Sequence, residues 1–436
     1  MTTAYQSWGR YPRASQQAVH LDWIHENPFN AVPGGMLPYG QGRSYGDCCL
    51  NDGGALIVTA RSNRLIAFDA ERGLLRCEAG VTLADILDFT VPRGWFLPVS
   101  PGTKFVSVGG AIANDVHGKN HHRGGCFGAH VPRFELLRSD GSRRICSAAE
   151  NGELYRATIG GLGLTGLILW ADVQLKKVAG ALIDMESIKF GDLEEFFAVS
   201  GASDREYEYT VAWLDCVSAG SSFGRGIFMR GNHGQQPETR APRRLSASIP
   251  LSFPAWALNH LTIKAFNSVW YGKQRRKQVR LTQHYDPFFY PLDMVGAWNR
   301  IYGKTGPLQF QCVVPKNDSR AVVREILQQV VKNGTASFLS VMKEFGDQSS
   351  PGLLSFPRPG VTLCMDFSFR GERTLELFAL LERIVREARG AMYPAKDVSM
   401  SGESFRQFFP QWERFAQSID PRCSSSFWRR VMGAKS

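Results

Sequence analysis

The sequence predicts an α+β protein built from two domains. Its 436 residues are more than one ordinary core holds and most naturally form two units. Up to residue 178, short apolar or β-branched runs alternate with glycine-rich turns, and beyond it longer strand-like runs alternate with amphipathic helical ones. The composition, 43% hydrophobic and 11% aromatic, is that of a globular chain.

The first 178 residues predict a unit rich in short strands. The best helix is TLADILDFTVPRG, in which Thr82 is the expected N-cap, Asp85 follows three residues later and Gly94 comes after the last turn. NGELYRATIG predicts a second short helix. Strands are expected in GALIVTA, LLRCEAGVT, FVSVGGAIA, FELLRSDGSRRIC and TGLILWADVQL.

The second half predicts an antiparallel sheet with helices on one face. LQFQCVVP, ASFLSVMKEFG and GVTLCMDFSFR fit strands, whereas LEEFFAVS, SRAVVREILQQVVKNG and ERTLELFALLERIVREARG fit a helical period. A strand, helix, strand, strand, helix order is typical of such a layer. The tail from residue 391 carries several aromatic residues and is expected to pack back on the fold.

The charge and cysteine content narrow the class of protein. The net charge is +11, with basic residues concentrated at 240–280, which suits nucleic acid, an anionic membrane, a phosphorylated substrate or simply a solvated surface. Because no nucleic-acid motif accompanies the charge, no nucleic-acid partner is expected. Nine scattered cysteines without a CxxC pair indicate reduced thiols rather than a disulfide framework or a zinc ribbon.

The N-terminus shows no apolar signal region, and no apolar run is long enough to span a bilayer, so a soluble, cytoplasmic protein is expected. One stretch is unusual. LSFPAWALNHLTIKAFNSVWYGKQRRKQVRL, at 251–281, places tryptophans and aliphatic residues before a dense basic cluster. This pattern predicts a segment that enters a membrane interface, and a core helix with a basic cap is the alternative.

Three glycine-rich stretches predict a dinucleotide site. They are YGQGRSYGDCCLNDGG at 39–54, PGTKFVSVGGAIANDVHGKNHHRGGCFGAHV at 101–131 and GGLGLTG at 160–166. Successive glycines let backbone N–H groups converge on phosphate oxygens. Neither a Walker A loop nor a helix-opening GxGxxG is present. Three loops in one unit favour a long ligand, and flavin adenine dinucleotide fits better than a mononucleotide.

The second loop also contains three histidines within HGKNHH. His117 and His121 are four residues apart, as in a helical metal site. No fourth ligand with suitable spacing and no cysteine partner accompany them, so no metal is expected. His121 and His122 are interpreted as structural.

Five motifs resemble those of the vanillyl-alcohol-oxidase-type flavoproteins, which have a PCMH-type FAD-binding domain: GRSYGD, SPGT, VGGAIANDVHGKNHH, LSFPRPG and AKD. In particular, they resemble the decaprenylphosphoryl-ribose 2-oxidase branch of these proteins. The similarity extends from SWGR at 7–10 to WERF at 412–415. It implies an FAD-binding domain at 1–178, completed by 391–436, and an antiparallel-sheet substrate-binding domain at 179–390.

The resemblance implies oxidation of the 2-hydroxyl of a polyprenyl-phosphoryl pentose, ribose, to a ketone, with FAD taking the hydride. This would be the first half of an epimerisation towards an arabinose donor for cell-envelope glycan, completed by a separate NAD-dependent short-chain reductase. The lipid-linked sugar phosphate implies peripheral contact with the inner face of the cell membrane, with the periplasmic side left open. An oxidase of a soluble sugar alcohol or aldonolactone and a non-catalytic flavin-binding partner are the alternatives.

Matching motifs imply the residues that contact FAD. The first glycine loop contains no histidine, and Arg43 stands where relatives attach FAD covalently, so the cofactor is expected to be non-covalent. The implied contacts are Gly40, Gly42, Arg43, Ser44, Tyr45, Gly46, Asp47, Gly102, Ser107, Val108, Gly109, Gly110, Asn114, Asp115, Val116, His117, Ile168 and Tyr393.

The resemblance also implies a substrate pocket. Lys396, in YPAKD, is expected to hold or deprotonate the substrate hydroxyl, with a salt bridge to Asp397 as the alternative. His117 is expected near the isoalloxazine, with a histidine satisfied by backbone as the alternative. The implied pocket residues are Lys119, Trp213, Tyr285, Arg300, Gln311, Lys343 and Cys364, with Phe289 as the alternative to Tyr285 and Thr362 where the family often has Asn. Cys364 is assigned to the wall.

Overall fold

The computed structural model describes residues 5–238, 247–249, 251–253, 258–334 and 337–433. The strands are β1 Gln17–His20, β2 Met36–Tyr39, β3 Ala55–Val58, β4 Leu65–Asp69, β5 Leu74–Glu78, β6 Trp95–Phe96, β7 Arg133–Leu137, β8 Arg143–Ser147, β9 Leu167–Gln174, β10 Lys176–Lys177, β11 Leu182–Phe190, β12 Tyr209–Leu214, β13 Gly226–His233, β14 Ala247–Ser248, β15 Gln278–His284, β16 Val295–Gly296, β17 Pro307–Val314, β18 Ser340–Phe345, β19 Gly360–Ser368 and β20 Ala391–Met392.

The helices are α1 Leu83–Thr90, α2 Val108–Ala113, α3 His121–Gly124, α4 Gly152–Thr158, α5 Leu193–Ser203, α6 His260–Lys273, α7 Tyr285–Phe289, α8 Ser319–Lys332, α9 Glu372–Glu387, α10 Gly402–Phe408, α11 Trp412–Ala416 and α12 Ser426–Met432. Short 3-10 turns include Asp47–Cys49 and Pro394–Lys396.

Two small sheets organise the N-terminal part. A parallel sheet has the order β1-β3-β2, and an antiparallel sheet has the order β4-β5-β9-β7-β8. Helix α1 begins as predicted, because the Thr82 hydroxyl accepts from the Asp85 N–H while the Asp85 carboxylate accepts from the Thr82 N–H. The predicted helix in NGELYRATIG is α4.

The strand predicted in FVSVGGAIA is wrong, because residues 108–113 form helix α2. The Ser107 hydroxyl accepts from the Gly110 N–H and caps this helix. The N–H groups of Val108 and Gly109 donate to the carbonyls of Val81 and Ala79. These hydrogen bonds to residues 79–81 of the same chain outweigh the strand preference of the β-branched residues in the segment.

The second part is an eight-stranded sheet with the order β15-β11-β13-β12-β18-β19-β17-β20, antiparallel throughout. Helices α5, α8 and α9 form a layer in which α8 contacts both others and packs on β17 and β19. The ring of Phe378 in α9 lies 5.8 Å from that of Phe310 and 5.4 Å from that of Phe367. The predicted two-layer arrangement is confirmed.

The face of this sheet turned away from α8 and α9 is polar although buried. Alternation along a strand sends successive side chains to opposite faces. Phe310 faces the helices, so Gln309 and Gln311 face the other way. Their partners across the pair with β19 are Asp366 and Cys364. A buried polar face against a second layer is where a ligand site is expected.

Within the stretch at 251–281, His260–Lys273 form a surface helix, α6. In α6 only Ile263 and Asn267 are buried, whereas Leu261 and Val269 are 76% and 74% exposed. The alternative interpretation, a core helix, is therefore wrong. Residues 254–257 of this stretch, and the basic residues at 240–246, lie outside the described residues. In the part of the chain that the structure describes, no helix is long and apolar enough to cross a membrane.

The tail returns to the N-terminal part, as expected. Strand β20 pairs with β17, and α12 packs on the turn Asp47–Cys49. From α12, Arg430 donates to both carboxylate oxygens of Asp47 and, through Nη2 at 2.8 Å, to Asp397. Both carboxylates are buried, with 4% and 1% of their side-chain surface exposed. The domain boundaries at 178 and 391 stay predictions.

Replacing this arginine should destabilise the fold. Arg430→Met leaves two buried carboxylates without their counter-charge, so we expect a loss of about 3–5 kcal/mol in the free energy of unfolding. Denaturant unfolding of the purified protein measures it. The matched control is Arg414→Met, which breaks an ion pair of half-exposed groups with Glu153. Equal, small losses in both variants would contradict the expectation.

Candidate functional site

The first glycine loop lies in close contact with the second loop and with the tail. A Cβ atom on Gly40 would lie 2.2 Å from the Ser107 hydroxyl oxygen, and one on Gly46 would lie 1.7 Å from the carbonyl oxygen of Asp397. Neither position tolerates a side chain. The first loop is therefore held against both α2 and the turn that carries Lys396.

The first loop presents polar atoms that the protein leaves unused. In the described residues, the backbone N–H groups of residues 40–44 donate to no other backbone group. Arg43 Nε of this loop is buried and has no partner among the described groups, and the same holds for Asn114 Oδ1 of the second loop. Buried polar atoms are almost always hydrogen-bonded, so the unused N–H donors of the first loop fit the anionic part of a ligand, and the Asn114 oxygen fits a donor group on it.

The second loop is more fully engaged within the protein. The amides at 108–110 already donate to Val81, Ala79 and Ser107. The Asp115 carboxylate is 0% exposed and accepts from the hydroxyls of Ser350 and Ser355 and from the Gly128 N–H. Asp47 is likewise occupied by Arg430. The side chains of Asp47 and Asp115 therefore hold the loops, and FAD contacts at these positions are left to their backbone atoms.

The remaining predicted cofactor residues lie on three elements. Gly102 is exposed, and a Cβ atom there would meet nothing within 4 Å. Ile168 is buried in β9. The Tyr393 hydroxyl donates to the Asn114 carbonyl at 2.8 Å, and its ring lies 5.6 Å from that of His117. Tyr393 thereby links the tail to the second loop.

His117 is the centre of a buried polar cluster. Its Nδ1 lies 3.0 Å from Lys343 Nζ, and its Nε2 lies 2.9 Å from the side-chain amide of Gln311. Lys343 also donates to the Gly118 carbonyl at 2.5 Å. Burial, together with the charge of Lys343, holds the pKa of His117 well below its usual value, so the ring is neutral.

These contacts fix the proton on His117. Lys343 as an ammonium donates to Nδ1, so the ring proton lies on Nε2. The Gln311 amide must then present its oxygen to the ring, since its nitrogen can only donate. Burial lowers the pKa of Lys343 to about 7, with Lys119 nearby adding to the effect. The cluster can therefore bind an anion and change its charge near neutral pH.

Lys396 faces the first loop. Its Nζ lies 3.9 Å from the centroid of the Tyr45 ring. Burial lowers the pKa of Lys396. The alternative interpretation, a salt bridge with Asp397, does not hold: Asp397 Oδ2 binds Arg430, and Oδ1 accepts from the N–H groups of Ser399 and Met400.

Two predicted pocket residues are tied to loops of the second part. Lys119 Nζ donates to the Phe289 carbonyl at 3.0 Å, and burial lowers the pKa of Lys119 to about 8. Trp213 Nε1 donates to the Phe338 carbonyl at 3.0 Å. A cation and an indole are thus placed beside the polar face of the sheet.

Arg300, Tyr285 and Cys364 differ in how they are placed. Arg300 donates to the Ile249 carbonyl at 3.0 Å. The rings of Tyr285 and Phe289 both pack in the N-terminal core, 5.2 Å and 5.4 Å from that of Phe96, and the backbone carbonyl of Phe289 accepts from Lys119. Cys364 lies opposite Gln311 on the polar face, and burial raises the pKa of its thiol, so it is a neutral part of the wall.

His121 and His122 of the second loop lie outside the cluster around His117 and differ in their contacts. His121 is 0% exposed, its ring lies 4.4 Å from that of Phe345, and neither ring nitrogen has a partner among the described groups. His122 Nε2 lies 2.9 Å from the Tyr207 carbonyl. Across the described ranges, no three potential metal ligands are grouped.

Sequence reasoning missed two residues on the polar face. Gln309 donates its side-chain amide to Asp366, directly across the strand pair, and Asp366 is 0% exposed. Each lies two residues from a predicted pocket residue, Gln311 or Cys364. The period of two along a strand is the signal that identifies them once β17 and β19 are recognised.

The site therefore combines a loop that fits an anionic dinucleotide with lysines of lowered pKa around a neutral histidine. Residues 34–147 match the family model described as an FAD binding domain. The fold and site define a two-domain FAD-dependent oxidoreductase. FAD fits the polar atoms that the first loop leaves unused.

Similar proteins narrow this class. The chain is 37% identical over 404 residues to decaprenylphosphoryl-beta-D-ribose oxidase of Mycolicibacterium smegmatis, covering 89% of this chain and 86% of that protein. The protein belongs to the decaprenylphosphoryl-β-D-ribose oxidase family. It is also 29% identical over 360 residues to the uncharacterized protein in mprA 5'region of Streptomyces coelicolor, covering 78% of this chain and 96% of that protein. A match to the human Delta(24)-sterol reductase, 28% identical over 111 residues, covers 26% of this chain and 22% of that protein.

The lowered pKa of Lys343 makes stability depend on pH. Its pKa is about 7 when folded against an ordinary value of 10.5, so the unfolded chain binds the extra proton first. Stability should therefore fall as pH decreases from about 10 to about 7 and be level in this respect below that. In Lys343→Met this loss should be absent. Denaturant unfolding of both proteins across this range measures the difference, and parallel profiles would contradict the shift.

Proposed function

We propose that the protein oxidises the 2-hydroxyl of a polyprenyl-phosphoryl ribose to a ketone. The observation that carries the proposal is the Lys396 amine, buried at the first flavin loop beside a polar sheet face, in a chain of this family. FAD, held non-covalently along the first glycine loop, would supply the acceptor for the hydride from C2. The product keto sugar then serves a separate NAD-dependent reductase, as the first half of an epimerisation towards an arabinose donor for cell-envelope glycan.

Lys396 is the group that takes the proton. Oxidation of a secondary alcohol breaks the O–H bond as the C2 hydride leaves, so a base must lie close to the hydroxyl. Burial lowers the pKa of Lys396, which favours the free amine needed for that role. Its neighbour Asp397 is engaged by Arg430, so it does not hold Lys396 as an ion pair.

The other cations bind the phosphoryl group. Lys119 belongs to the second loop and donates to the Phe289 carbonyl, and Lys343 reaches the same loop from β18 and donates to the Gly118 carbonyl. With pKa values of about 8 and about 7, they retain positive charge when an anion enters. Both ring nitrogens of His117 are engaged, Nδ1 by Lys343 and Nε2 by Gln311, so His117 orients a sugar hydroxyl through these two side chains.

A row of aromatic rings supports a lipid-linked substrate. The Phe266 ring of α6 lies 5.5 Å from that of Phe338, which stacks 5.3 Å from Tyr302. Tyr302 belongs to the same buried cluster as Tyr45, the ring beneath Lys396. A row of packed aromatic rings thus extends from the exposed helix to the proposed base. Such an apolar surface suits a prenyl chain better than a free polyol.

The exposed face of α6 supports peripheral contact with a membrane; the inner face of the cell membrane is the side that the resemblance implies, with the periplasmic side left open. Leu261, Val269 and Trp270 are exposed on this helix at 76%, 74% and 43%. Exposed basic residues flank them, at Lys264, Lys273, Arg275 and Arg276. Apolar side chains ringed by cations are the arrangement expected at an anionic bilayer surface.

Flavin absorbance tests the reaction. Anaerobic mixing with farnesyl-phosphoryl ribose should bleach the flavin, and Lys396→Met should slow bleaching by about 10²–10⁴-fold because the base is lost. Lys177→Met, which removes an exposed lysine in β10, is the matched control and should bleach like the unaltered protein. Bleaching by a free polyol but not by the prenyl-phosphoryl sugar would favour a soluble substrate instead. No bleaching by either would point to a non-catalytic flavin protein.

Vesicle binding tests the membrane surface. The protein should sediment with phosphatidylglycerol vesicles, less so at high salt, and the double variant L261E/V269E should lose most of this binding because it places carboxylates in the apolar face. Leu65→Glu, at a position 37% exposed in β4, adds a carboxylate outside α6 and should bind normally. Equal sedimentation of both variants would rule out α6 as the contact.

A further inference from the structure

Three buried side chains on or beside the polar face of the eight-stranded sheet have polar atoms without a partner among the described groups. The atoms are Asp366 Oδ2, Gln309 Oε1 and Tyr302 Oη. Each of the three residues is at most 6% exposed. Buried polar atoms are almost always hydrogen-bonded, because an unpartnered one has lost its hydration without compensation. Where such atoms lie together, they indicate a polar ligand.

The contacts of Gln309 and Asp366 fix which atom each residue has left. The two are direct partners across β17 and β19, and the amide nitrogen of Gln309 donates to Asp366 Oδ1. An amide oxygen in that place would repel the carboxylate, so the oxygen of Gln309 is the atom turned away. The unpartnered atoms are thus a carboxylate oxygen and an amide oxygen, and both accept hydrogen bonds.

Tyr302 reaches the same place from the turn that follows β16. The N–H of Asp366 donates to the Ser337 hydroxyl and to the Leu339 carbonyl. Phe338 lies between these two residues in the chain, and the Tyr302 ring stacks on its ring at 5.3 Å. Burial, with the charge of Asp366 adding to it, raises the pKa of Tyr302, in agreement with this placement. The Tyr302 hydroxyl can donate one hydrogen bond as well as accept.

The proposed base lies near this group. A Cβ atom on Gly9 would lie 2.3 Å from the carbonyl oxygen of Tyr45 and 2.8 Å from that of Pro307, so Tyr45 lies against the start of β17. Lys396 Nζ lies 3.9 Å from the centroid of the Tyr45 ring. Tyr45 and Tyr302 also belong to one buried cluster. The unpartnered atoms are therefore close to the position expected for the hydroxyl that is oxidised.

The polarity of these atoms defines the ligand group. Two of the three atoms only accept, so the ligand must donate to them. A phosphoryl group does not fit, because it is anionic, only accepts, and would face the carboxylate of Asp366. A sugar hydroxyl fits, since it donates its proton to Asp366 or Gln309 and accepts from Tyr302.

We propose that Asp366, Gln309 and Tyr302 form a subsite that binds the 3-hydroxyl of the pentose, the neighbour of the hydroxyl that is oxidised. This rests on the proposed oxidation. With the 2-hydroxyl at Lys396, the 3-hydroxyl is the neutral donor on the adjacent carbon. The three residues thereby select a sugar that carries a hydroxyl at this carbon.

The order of groups along the sheet matches such a substrate. Lys343, proposed to bind the phosphoryl group, pairs with Thr362, and Cys364 separates Thr362 from Asp366 along the same face of β19. In the sugar, the phosphoryl group is on C1 and the 3-hydroxyl lies beyond C2. The pentose therefore lies along the polar face with its phosphoryl group towards Lys343 and its 3-hydroxyl towards Asp366.

Substrate analogues test the subsite in the unaltered protein, its flavin reduced beforehand with dithionite so that no turnover follows. At about pH 8.5 the Asp366 carboxyl is ionised, since burial raises its pKa to about 7. Farnesyl-phosphoryl ribose should bind about 10–100-fold more tightly than its 3-deoxy analogue, which leaves buried acceptors unpaired. The 3-fluoro analogue cannot donate and should bind as weakly as the 3-deoxy one. Titration calorimetry measures the three affinities. Equal binding of the ribose and its 3-deoxy analogue, as expected if the atoms hold only a structural water, overturns the proposal.

Tyr302→Phe tests the donor, because it removes the hydroxyl and keeps the ring that stacks on Phe338. It should weaken binding of farnesyl-phosphoryl ribose about 3–10-fold and leave that of the 3-deoxy analogue unchanged. Tyr155→Phe is the matched control: it removes a buried hydroxyl that donates to the Val131 carbonyl at 2.9 Å, and both ligands should bind as before. An unchanged affinity for the ribose in Tyr302→Phe, or an equal loss for both ligands, overturns the proposal.

Unfolding in denaturant separates this role from a structural one. The Tyr302 hydroxyl has no partner among the described groups, so Tyr302→Phe should keep the denaturant midpoint or raise it. Tyr155→Phe should lower the midpoint, because it removes a buried hydrogen bond. A fall in Tyr302→Phe as large as that in Tyr155→Phe would show that the hydroxyl serves the fold, and it would contradict the subsite.

The same measurements distinguish this inference from the proposed oxidation. If farnesyl-phosphoryl ribose does not bleach the flavin but its affinity depends on the 3-hydroxyl and on Tyr302, the oxidation is rejected and the subsite stands. If the ribose and its 3-deoxy analogue bleach the flavin alike and bind alike, the oxidation stands and the subsite is rejected.

Discussion

The site depends on one buried ion cluster, in which Arg430 binds Asp47 and Asp397 together. Asp47 lies in the first glycine loop, and Asp397 follows Lys396 directly. Three segments distant in sequence are therefore fixed at a single point, at which Gly46 touches the backbone of Asp397. Because Arg430 neutralises Asp397, this carboxylate does not pair with the adjacent Lys396, as the proposed role of Lys396 as a base requires.

The two faces of the eight-stranded sheet differ in role: one packs against helices, and the other carries the polar side chains of the site. One face packs on α8 and α9 through Phe310 and Phe367. The other carries amides, a thiol, a lysine and a carboxyl, and it is covered by the flavin loops rather than by water. Because side chains alternate along each strand, the sheet presents a rigid polar face, and the packing of its other face on the helices holds these polar side chains in place.

Desolvation sets the protonation states of the titratable groups on and beside this polar face. Burial lowers the pKa values of Lys343, Lys396 and Lys119 and raises that of Asp366. Lys343, Lys119 and Asp366 would be fully charged in neutral water, but their pKa values of about 7, about 8 and about 7 let them exchange protons near neutral pH. The lowered pKa of Lys396 favours the free amine that the proposed chemistry on an alcohol requires. Helix α6 is the reverse case: its apolar side chains are exposed to solvent and lie beside basic residues.

The sequence by itself determined the fold class, the FAD cofactor and most helices and strands, since periodicity, caps and glycine spacing are local signals. It failed at FVSVGGAIA, where Ser107 and contacts with Val81 and Ala79 make a helix. The sequence left Lys396 open to a bond with its neighbour Asp397. Only the tertiary structure decided that Arg430 binds Asp397 and that Gln309 and Asp366 lie together on the polar face of the sheet, because residues far apart in the chain meet only when the sheet and tail close around the flavin loops.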